Sequence, residues 1–413
     1  MTQAQFDFEQ AWVGKVPARW RWTRNKELLV ESQAVTVDGS EELLSVSHLT
    51  GITPKSEKNV TMTAAENLDG YRLVGTGDLV INTMWAWMGA LGVARQSGIV
   101  SPAYGVYSPR PDAPFNPAFY DYLYRSTPYV MEMTRLSRGI WSSRLRLYPD
   151  VFLRMGIPVP PPEEQRTIAD YLDRETARID TLIEEQQHLI EMLRERRTAA
   201  IAACLESLGG MTRLKHVSTV QTGVTLSGEG DPADPEWPYL RVANVQVGYV
   251  DLREIKTVRV PPDRAAGSML QPGDVLMTEG GDIDKLGRGA PWRGEVPNML
   301  HQNHVFAVRP SEALDSEFLV YWLDGPVGRT YFRTTAKQTT NLAGTNKWTL
   351  GNLPVPVPPL DEQRRVVEAL DEQTTKIDTL ITESERLIDL SCERRAALIT
   401  AAVTGQIDVR EMV

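Results

Sequence analysis

Cysteine is scarce in this sequence of 413 residues: only Cys204 and Cys392 occur, and they form no CxxC pair. A disulfide framework and a cysteine-based zinc site are therefore not expected. Long apolar runs are missing too, because the most apolar window, residues 73–94, is interrupted by Asp78, Asn82 and four glycines. That window is too polar for a membrane span. No basic start leads into an apolar core at the N-terminus, so we expect no secretory signal and a cytoplasmic protein.

The net charge of −10 argues at first against a polyanionic ligand, but the acidity is unevenly distributed. Residues 161–208 and 353–413 each carry a net charge of −5, whereas residues 1–160 and 209–352 are close to neutral. Two clusters are strongly basic: residues 122–154 hold six arginines against two acids, and residues 325–359 hold four basic residues and no acid. A nucleic-acid-binding protein needs only a local positive face, so the acidic total does not exclude one.

An internal repeat divides the chain into two similar halves. With a constant offset of 198 residues, 20 of the 41 positions from 161 to 201 are identical to those from 359 to 399. Each copy follows a longer variable region. We therefore expect four segments, at residues 1–160, 161–208, 209–358 and 359–413, in which the two variable regions share a fold and differ in their exposed loops.

The repeated segment predicts a long helix in each half. Leu172, Ile179 and Leu193 lie on one heptad stripe of the first copy, and Leu370 and Ile377 lie on the same stripe of the second. Prolines precede both segments, and acidic residues occupy both first turns, where the helix dipole favours negative charge. Either helix alone would be interpreted as core packing. Two copies separated by a domain predict an antiparallel intramolecular coiled coil, with rods of roughly 60 Å at about 1.5 Å rise per residue.

The variable regions predict mixed helix and sheet. A Gly-Asp turn precedes a short apolar strand at residues 75–84 and again at residues 271–280. The aromatic segments that begin at Phe119 and Phe318 predict a pair of equivalent buried helices. The expected fold class is therefore α+β: two mixed α/β domains joined by two long antiparallel coiled-coil helices, in a pseudo-twofold tandem repeat.

With these features in place, the sequence resembles the specificity subunits of type I restriction–modification systems over essentially its whole length. The segments IPVPPPEEQRTIADYLD and LPVPVPPLDEQRRVVEALD, the two TxxIDxLI segments and the closing AAVTGQIDV are typical of that family. GIVSPAYGV in the first half, and GDVLMTEGGDIDKLGRG followed by HQNHVFAVRP in the second, also resemble its recognition domains. The resemblance implies that residues 1–160 and 209–358 are target-recognition domains, each of which reads one half of a bipartite double-stranded DNA site.

The resemblance also implies partners. Segments 161–208 and 359–413 would set the gap between the half-sites and dock two methyltransferase subunits, and restriction and translocase subunits would join the larger complex. S-adenosylmethionine, ATP and Mg²⁺ are then expected on those partner subunits, with no cofactor on this chain. The implied role is antiviral defence, in which this chain supplies the sequence recognition for adenine methylation and restriction by its partners.

Catalytic signatures are missing from the sequence, which favours a binding protein over an enzyme. Each Pro-Pro step lacks the aromatic residue of an adenine-methyltransferase tetrapeptide, and the single Gly-Lys step is followed by valine, so no P-loop is present. The Gly-rich segment 278–289 could cradle a phosphate, but no helix pattern follows it, and a surface loop that touches DNA is favoured. His301 and His304, near Asp282 and Asp284, could hold a metal ion, although isolated histidines are more often structural. We expect no catalytic residue and no metal.

Most candidate DNA-binding residues lie in the two basic clusters, and Lys285 and Arg288 lie in the Gly-rich segment. Arginine and lysine supply phosphate contacts, whereas asparagine and glutamine can bond an adenine edge in a bidentate way. The second cluster contains a segment rich in Gln, Asn and Thr that resembles the polar loop before the proline signature of the family. The candidates are Arg135, Arg138, Trp141, Arg144, Arg146, Lys285, Arg288, Lys337, Gln338, Thr339, Asn341, Asn346 and Lys347. Trp85 and Trp87 alternate on a predicted strand, and either pack in the core or lie against DNA.

Three alternatives remain open at this point. The chain could serve another or an orphan DNA-modification system, which the neighbouring genes would decide. It could itself be a nuclease or methyltransferase, which an assay of the purified chain with S-adenosylmethionine and DNA would detect. It could instead be a coiled-coil adaptor that never touches DNA, in which case a salt-dependent duplex-binding assay would give no binding.

Overall fold

The computed structural model describes residues 12–14, 16–57, 68–139, 145–206, 208–225, 231–338 and 342–411. The chain divides into two compact units: unit 1 comprises residues 1–186 and 386–413, and unit 2 comprises residues 187–385. Each unit therefore contains one variable region together with a part of each repeated segment. No helix within the described ranges is long and apolar enough to cross a membrane.

Unit 1 is built from short strands and helices that precede a long helix. Its strands are β1 (Arg21–Arg24), β2 (Leu29–Glu31), β3 (Leu44–Ser47), β4 (Gly51–Pro54), β5 (Arg72–Val74), β6 (Leu79–Ile81), β7 (Leu91–Val93), β8 (Gly98–Val100), β9 (Gly105–Pro109) and β10 (Gly156–Val159). Its helices are α1 (Asn25–Leu28), α2 (Pro117–Arg125), α3 (Thr127–Leu136), α4 (Pro149–Arg154) and the first part of α5 (Pro162–Leu205).

A four-stranded antiparallel sheet in the order β2-β9-β6-β7 forms the centre of unit 1. All three residues of its strand β6 are buried, as the continuous apolar run predicts. The Gly-Asp turn starts this strand, because Asp78 Oδ2 accepts a hydrogen bond from the backbone N–H of Gly75 at 2.7 Å. The core contains the fully buried Phe119 and Leu123 of α2, which confirms the predicted aromatic helix.

Unit 2 also consists of short strands and helices that precede a long helix, with additional short strands. Its strands are β11 (Met211–Arg213), β12 (Ser218–Thr222), β13 (Glu236–Leu240), β14 (Lys256–Arg259), β15 (Val275–Thr278), β16 (Gly280–Gly281), β17 (Gly289–Pro291), β18 (Leu300–His301), β19 (Val305–Pro310), β20 (Lys337–Gln338), β21 (Ala343–Gly344) and β22 (Pro354–Pro356). Its helices are α6 (Pro262–Ala266), α7 (Ser316–Asp324), α8 (Pro326–Thr335), α9 (Lys347–Gly351) and residues 360–385 of α10 (Leu360–Val403), together with residues 187–205 of α5.

The central sheet of unit 2 has the order β12-β19-β15-β17 and is antiparallel throughout, like the central sheet of unit 1. Its Gly-Asp turn has the same geometry, since Asp274 Oδ2 accepts from the backbone N–H of Gln271 at 2.8 Å. The aromatic helix α7 contributes Phe318 and Trp322 to the core beneath this sheet. The two halves therefore share a fold, and the α+β tandem predicted from the repeat is confirmed.

Within each unit the two long helices run antiparallel. In unit 2, Arg194 pairs with Glu385 at 3.3 Å and Arg197 pairs with Asp378 at 3.0 Å, so the numbering rises on one helix as it falls on the other. In unit 1, Arg395 of α10 pairs with Asp180 of α5 at 2.9 Å, which is the same Arg–Asp pair with the roles of the two helices exchanged. The heptad residues Leu172, Ile179, Leu370 and Ile377 are buried, as a coiled-coil seam requires.

One glutamine fastens the start of each long helix to its own domain. Gln165 is fully buried, and its Nε2 donates to the carbonyl oxygens of Pro114 and Pro160, both at 2.9 Å. Its Oε1 accepts from the backbone N–H of Asn116 at 2.9 Å, so every polar group of the amide is used. Gln363 makes the three equivalent bonds in unit 2, at 2.7–2.8 Å. The glutamine that follows the prolines in both repeats thus attaches the start of each long helix to its own domain.

A tyrosine makes a second attachment between domain and helix in each unit. The Tyr122 hydroxyl donates to Asp173 of α5 at 2.7 Å, and the Tyr321 hydroxyl donates to Asp371 of α10 at 2.6 Å. Burial raises the pKa of both tyrosines to about 12, so each hydroxyl keeps its proton and remains a donor at neutral pH.

Candidate nucleic-acid interface

A short antiparallel pairing, called the hairpin below, follows helix α3 in unit 1 and helix α8 in unit 2. In unit 1, Arg138 and Arg146 exchange backbone hydrogen bonds of 3.0 and 2.9 Å, and residues 140–144 between them lie outside the described residues. In unit 2, strands β20 and β21 form the equivalent antiparallel pair, with Lys337 opposite Gly344. The described residues at the two ends of each basic or polar segment therefore form equivalent antiparallel pairings.

The hairpins are fixed to the central sheets in the same way. The backbone N–H of Leu147 donates to the carbonyl oxygen of Thr83 at 3.1 Å, just beyond strand β6. In unit 2 the N–H of Thr345 donates to the carbonyl oxygen of Glu279 at 2.8 Å, just beyond strand β15. Strand β16 also pairs with β21 in unit 2, which adds the hairpin to a small three-stranded sheet. Each hairpin is thus held on a rigid strand end, which suits a binding element.

The basic candidates of unit 1 differ in whether they form ion pairs. Arg138 and Arg146 are exposed and make no ion pair with any residue that the structure describes. Arg135 is exposed at the end of α3, where its guanidinium makes two bonds of 2.7 and 2.6 Å to Glu132. Trp141 and Arg144 lie outside the described residues.

The candidates on the hairpin of unit 2 and beside it also differ in whether their side chains already have partners. Lys337 and Lys347 are exposed, and neither makes an ion pair within the described part of unit 2. Asn346 is the N-cap of α9, because its Oδ1 accepts from the backbone N–H of Thr349 at 2.9 Å, which leaves its Nδ2 to donate elsewhere. Gln338 follows Lys337 in strand β20, whereas Thr339 and Asn341 lie outside the described residues.

The Gly-rich segment of unit 2 is a loop held by a half-buried arginine. Arg329 of α8 donates to the carbonyl oxygens of Asp284 at 2.6 Å and Ile283 at 3.2 Å, and also to that of Leu286. Burial, with Arg288 nearby, lowers the pKa of Arg329 to about 10. Arg329 belongs to the basic cluster at residues 325–359. In the structure its guanidinium stabilises this loop through these hydrogen bonds.

The two basic candidates on that loop have different surroundings. Lys285 is exposed, and no ion pair connects it to another described residue. Arg288 is partly buried, and its guanidinium lies 3.1 Å from the carboxylate of Asp324 at the end of α7. Gly287 adopts a φ of +81°, and a side chain there would overlap the ring of the buried Phe332, so only glycine fits between loop and helix.

Two residues that were not among the predicted DNA-binding residues lie next to the hairpin of unit 2. Glu279 and His304 line a groove of about 490 Å³ together with Lys337 and Asn346. His304 Nδ1 lies 2.7 Å from Glu279 Oε2. The alignment of the two Gly-Asp strands could have found Glu279, because it lies five residues after Asp274, just as Thr83 lies five residues after Asp78.

The two histidines considered for a metal site have different surroundings. His301 is buried, and its Nδ1 bonds the carbonyl oxygen of Val305 at 2.8 Å, whereas His304 is exposed and pairs with Glu279. Within the described ranges, no group of three or more His, Cys, Asp or Glu residues could hold a metal ion.

The predicted strand through Trp85 and Trp87 is wrong. Strand β6 ends at Ile81, and a short 3₁₀-helix spans Ala86–Met88. The indole of Trp87 donates to the carbonyl oxygen of Met84 at 3.0 Å, whereas Trp85 is 49% exposed. A local turn that ends at Gly89, with a φ of +83°, replaces the strand because glycine accepts this left-handed conformation.

Known proteins similar to this chain are specificity subunits. The chain is 22% identical over 286 residues to the specificity subunit of the type I restriction enzyme EcoKI from Escherichia coli K12, in a match that covers 66% of this chain and 61% of that subunit. It is 21% identical over 314 residues to the specificity subunit of StySPI from Salmonella potsdam, which covers 72% and 67% of the two chains. No protein-family model matches the chain.

Solved structures share the fold over nearly the whole chain. A chain from the type I R-M system, in a structure concerned with complex assembly and conformational transition, aligns with a TM-score of 0.73 at 17% identity, over 95% of this chain and 100% of that chain. The HsdS subunit from Thermoanaerobacter tengcongensis aligns with a TM-score of 0.53 at 18% identity, over 95% and 98% of the two chains.

Proposed function

We propose, on the premise that this chain belongs to the family of type I restriction–modification specificity subunits, that it reads a bipartite target in double-stranded DNA. One observation carries the proposal: both units present the same hairpin on the same strand end, with exposed cations that make no ion pair with any residue that the structure describes. Arg138 and Arg146 in unit 1 and Lys337 in unit 2 are those cations. Unpaired basic side chains on a rigid hairpin fit the phosphate backbone, which supplies most of the affinity in DNA binding.

The charge of the long helices supports binding at the hairpins. The two repeated segments are strongly acidic, whereas the hairpin regions are locally basic. A duplex is repelled by the acidic helices and attracted by the basic hairpins, so the electrostatic field of each unit favours contact at the hairpin. The overall acidity of the chain thus orients the DNA and does not oppose its binding.

Catalysis is assigned to partner subunits in this proposal. A methyltransferase subunit with S-adenosylmethionine would modify adenine, and restriction and translocase subunits with ATP and Mg²⁺ would act on unmodified DNA. Two methyltransferase copies are proposed because the chain offers equivalent surfaces twice. In unit 1 a cavity of about 690 Å³ lies beside Tyr122 and Asp173, and in unit 2 a cavity of about 290 Å³ lies beside Tyr321 and Asp371. One partner could therefore use the same contacts on each unit.

The proposal is tested by mapping methylated adenines in the host genome. Deleting the gene should remove one bipartite methylated motif, since no other subunit would carry that specificity. Replacing residues 212–352 with the corresponding region of another specificity subunit should change one half of the motif and leave the other half intact. An unchanged motif after deletion would refute the role in recognition, and a change in both halves would refute independent reading by the two units.

A further inference from the structure

The Glu279–His304 pair places a carboxylate inside the groove of unit 2. Glu279 Oε2 accepts a hydrogen bond from His304 Nδ1 at 2.7 Å, since an ionised carboxylate can only accept. Both side chains are reachable from solvent, with 38% of Glu279 and 58% of His304 exposed. Oε1 of Glu279 has no hydrogen-bond partner in the described part of the chain. The groove therefore presents one fixed acceptor with free lone pairs.

A carboxylate at this position does not favour phosphate binding. Lys337 and Asn346 line the same groove, and both can donate hydrogen bonds to DNA. Lys337 makes no ion pair with Glu279, so this cation of the hairpin does not neutralise the carboxylate. An acid that faces DNA is repelled by the backbone unless its oxygen meets a donor. The donors exposed in the major groove are the amino groups of cytosine and adenine.

The chemistry of the major groove favours cytosine over adenine. Adenine presents its N7 acceptor beside its amino group, and this acceptor would repel the second oxygen of a carboxylate. Adenine is therefore read by an amide, which supplies both an acceptor and a donor. Cytosine presents only its N4 amino group, which matches a group that can only accept.

Unit 1 carries different chemistry at the equivalent position. Thr83 follows strand β6 as Glu279 follows strand β15, and both carbonyl oxygens accept the backbone N–H that fixes the hairpin. The Thr83 side chain is uncharged, and its hydroxyl donates to the carbonyl oxygen of Ala103 at 2.9 Å. The shared fold thus holds a carboxylate in one unit and a hydroxyl in the other, which is how two similar domains can read two different half-sites.

We propose that Glu279, positioned by His304, reads the N4 amino group of a cytosine in the half-site recognised by unit 2. This inference rests on the proposed function, because it requires that the groove meets base edges. It names Glu279 as a specificity-determining residue, and His304 as the positioning residue that holds its carboxylate in one orientation.

The test is selection from a randomised duplex library. The full-length chain, purified through a tag from its host with the subunits that accompany it, is used to capture duplexes, which are then sequenced. Wild-type protein should enrich two sequence blocks separated by a gap, with a C·G pair at one position of the block assigned to unit 2. For E279Q we expect the preference for cytosine at that position to fall by at least about fivefold, while the preferences at all other positions are kept.

Three further variants separate reading from structure. E279T introduces the residue found in unit 1 and should lose the same preference at the same position. H304Q should weaken that preference less, because the carboxylate remains but is no longer held. E312Q removes an exposed acid outside the groove and should select the wild-type sequence, which controls for the change in net charge.

Each result decides between defined outcomes. If wild-type protein enriches no sequence, the proposed function fails and the role of Glu279 fails with it. If wild-type protein enriches two blocks and E279Q enriches the same blocks without change, the proposed function stands and the role of Glu279 is refuted. The role is refuted as well if E279Q weakens the preference at every position, or if the altered position holds an A·T pair.

Discussion

The two free arginines of the unit 1 hairpin provide a quantitative test of DNA contact. We expect the double variant R138A/R146A to bind duplex DNA with a weaker dependence on salt than the wild-type protein. Both side chains are exposed and neither has an ion pair among the described residues, so their charges are available for phosphates. Each phosphate contact releases condensed counterions, and this release is what makes the affinity fall as salt rises.

The size of the effect follows from the number of contacts. One phosphate contact contributes about 0.9 to the slope of log affinity against log salt, so two contacts contribute about 1.8. Between 50 and 200 mM salt, a slope of that size corresponds to a change in affinity of about twelvefold. The wild-type affinity should therefore fall about twelvefold more than that of the double variant over this range.

Fluorescence anisotropy with a labelled duplex that contains the methylated motif measures this slope, on the tagged preparation of the full-length chain. The matched control is R154A, because Arg154 is also an exposed arginine of unit 1 but pairs with Asp150 at 3.2 Å. Its slope should stay near the wild-type value. The reasoning fails if R138A/R146A keeps the wild-type slope, or if R154A lowers the slope as much as the double variant does.

Three other perturbations test the architecture. Q165A should lower the free energy of unfolding by about 3 kcal/mol in urea titrations, because one buried and two half-buried backbone groups lose their side-chain partner. G287A should lower it by at least about 2 kcal/mol, whereas G248A, also at positive φ but with open space around it, should lower it by only about 1 kcal/mol. Inserting one heptad after Glu184 and another after Thr382 adds about 10 Å to each long helix. Methylation maps should then show both half-sites unchanged and a gap longer by about three base pairs, whereas an active variant with the original gap would contradict the role of the helices as a spacer.

Features that repeat along the chain could be predicted from the sequence. The heptad residues Leu172 and Ile179 are buried, and the aromatic helix that contains Phe119 lies in the core, because periodicity reports directly on which face an element buries. The repeat itself made the second unit predictable from the first. The strand through Trp85 failed because alternation over three residues cannot distinguish a strand from a tight turn that a glycine completes.

The candidate site was only partly predictable, since residues distant in the sequence decide which charges are free. The sequence located both basic clusters. It could not indicate that Arg288 forms an ion pair with Asp324, or that Arg329 donates hydrogen bonds to the carbonyl oxygens of a loop. The pair of Glu279 with His304 depends on strands β15 and β19 lying side by side. The spacing of residues along the chain does not predict such contacts, because they form only when the strands pair in the folded sheet.

The division of the chain into units has a consequence for the order in which a newly made protein can fold. Unit 2 is continuous in sequence, whereas the core of unit 1 includes Ala402, Val403 and Val409 from the far end of the chain. Since domains fold as units during synthesis, the second unit in the sequence is the first whose segments have all left the ribosome. A nascent chain halted before residue 386 carries every segment of unit 2, while unit 1 still lacks the helix end that closes its core.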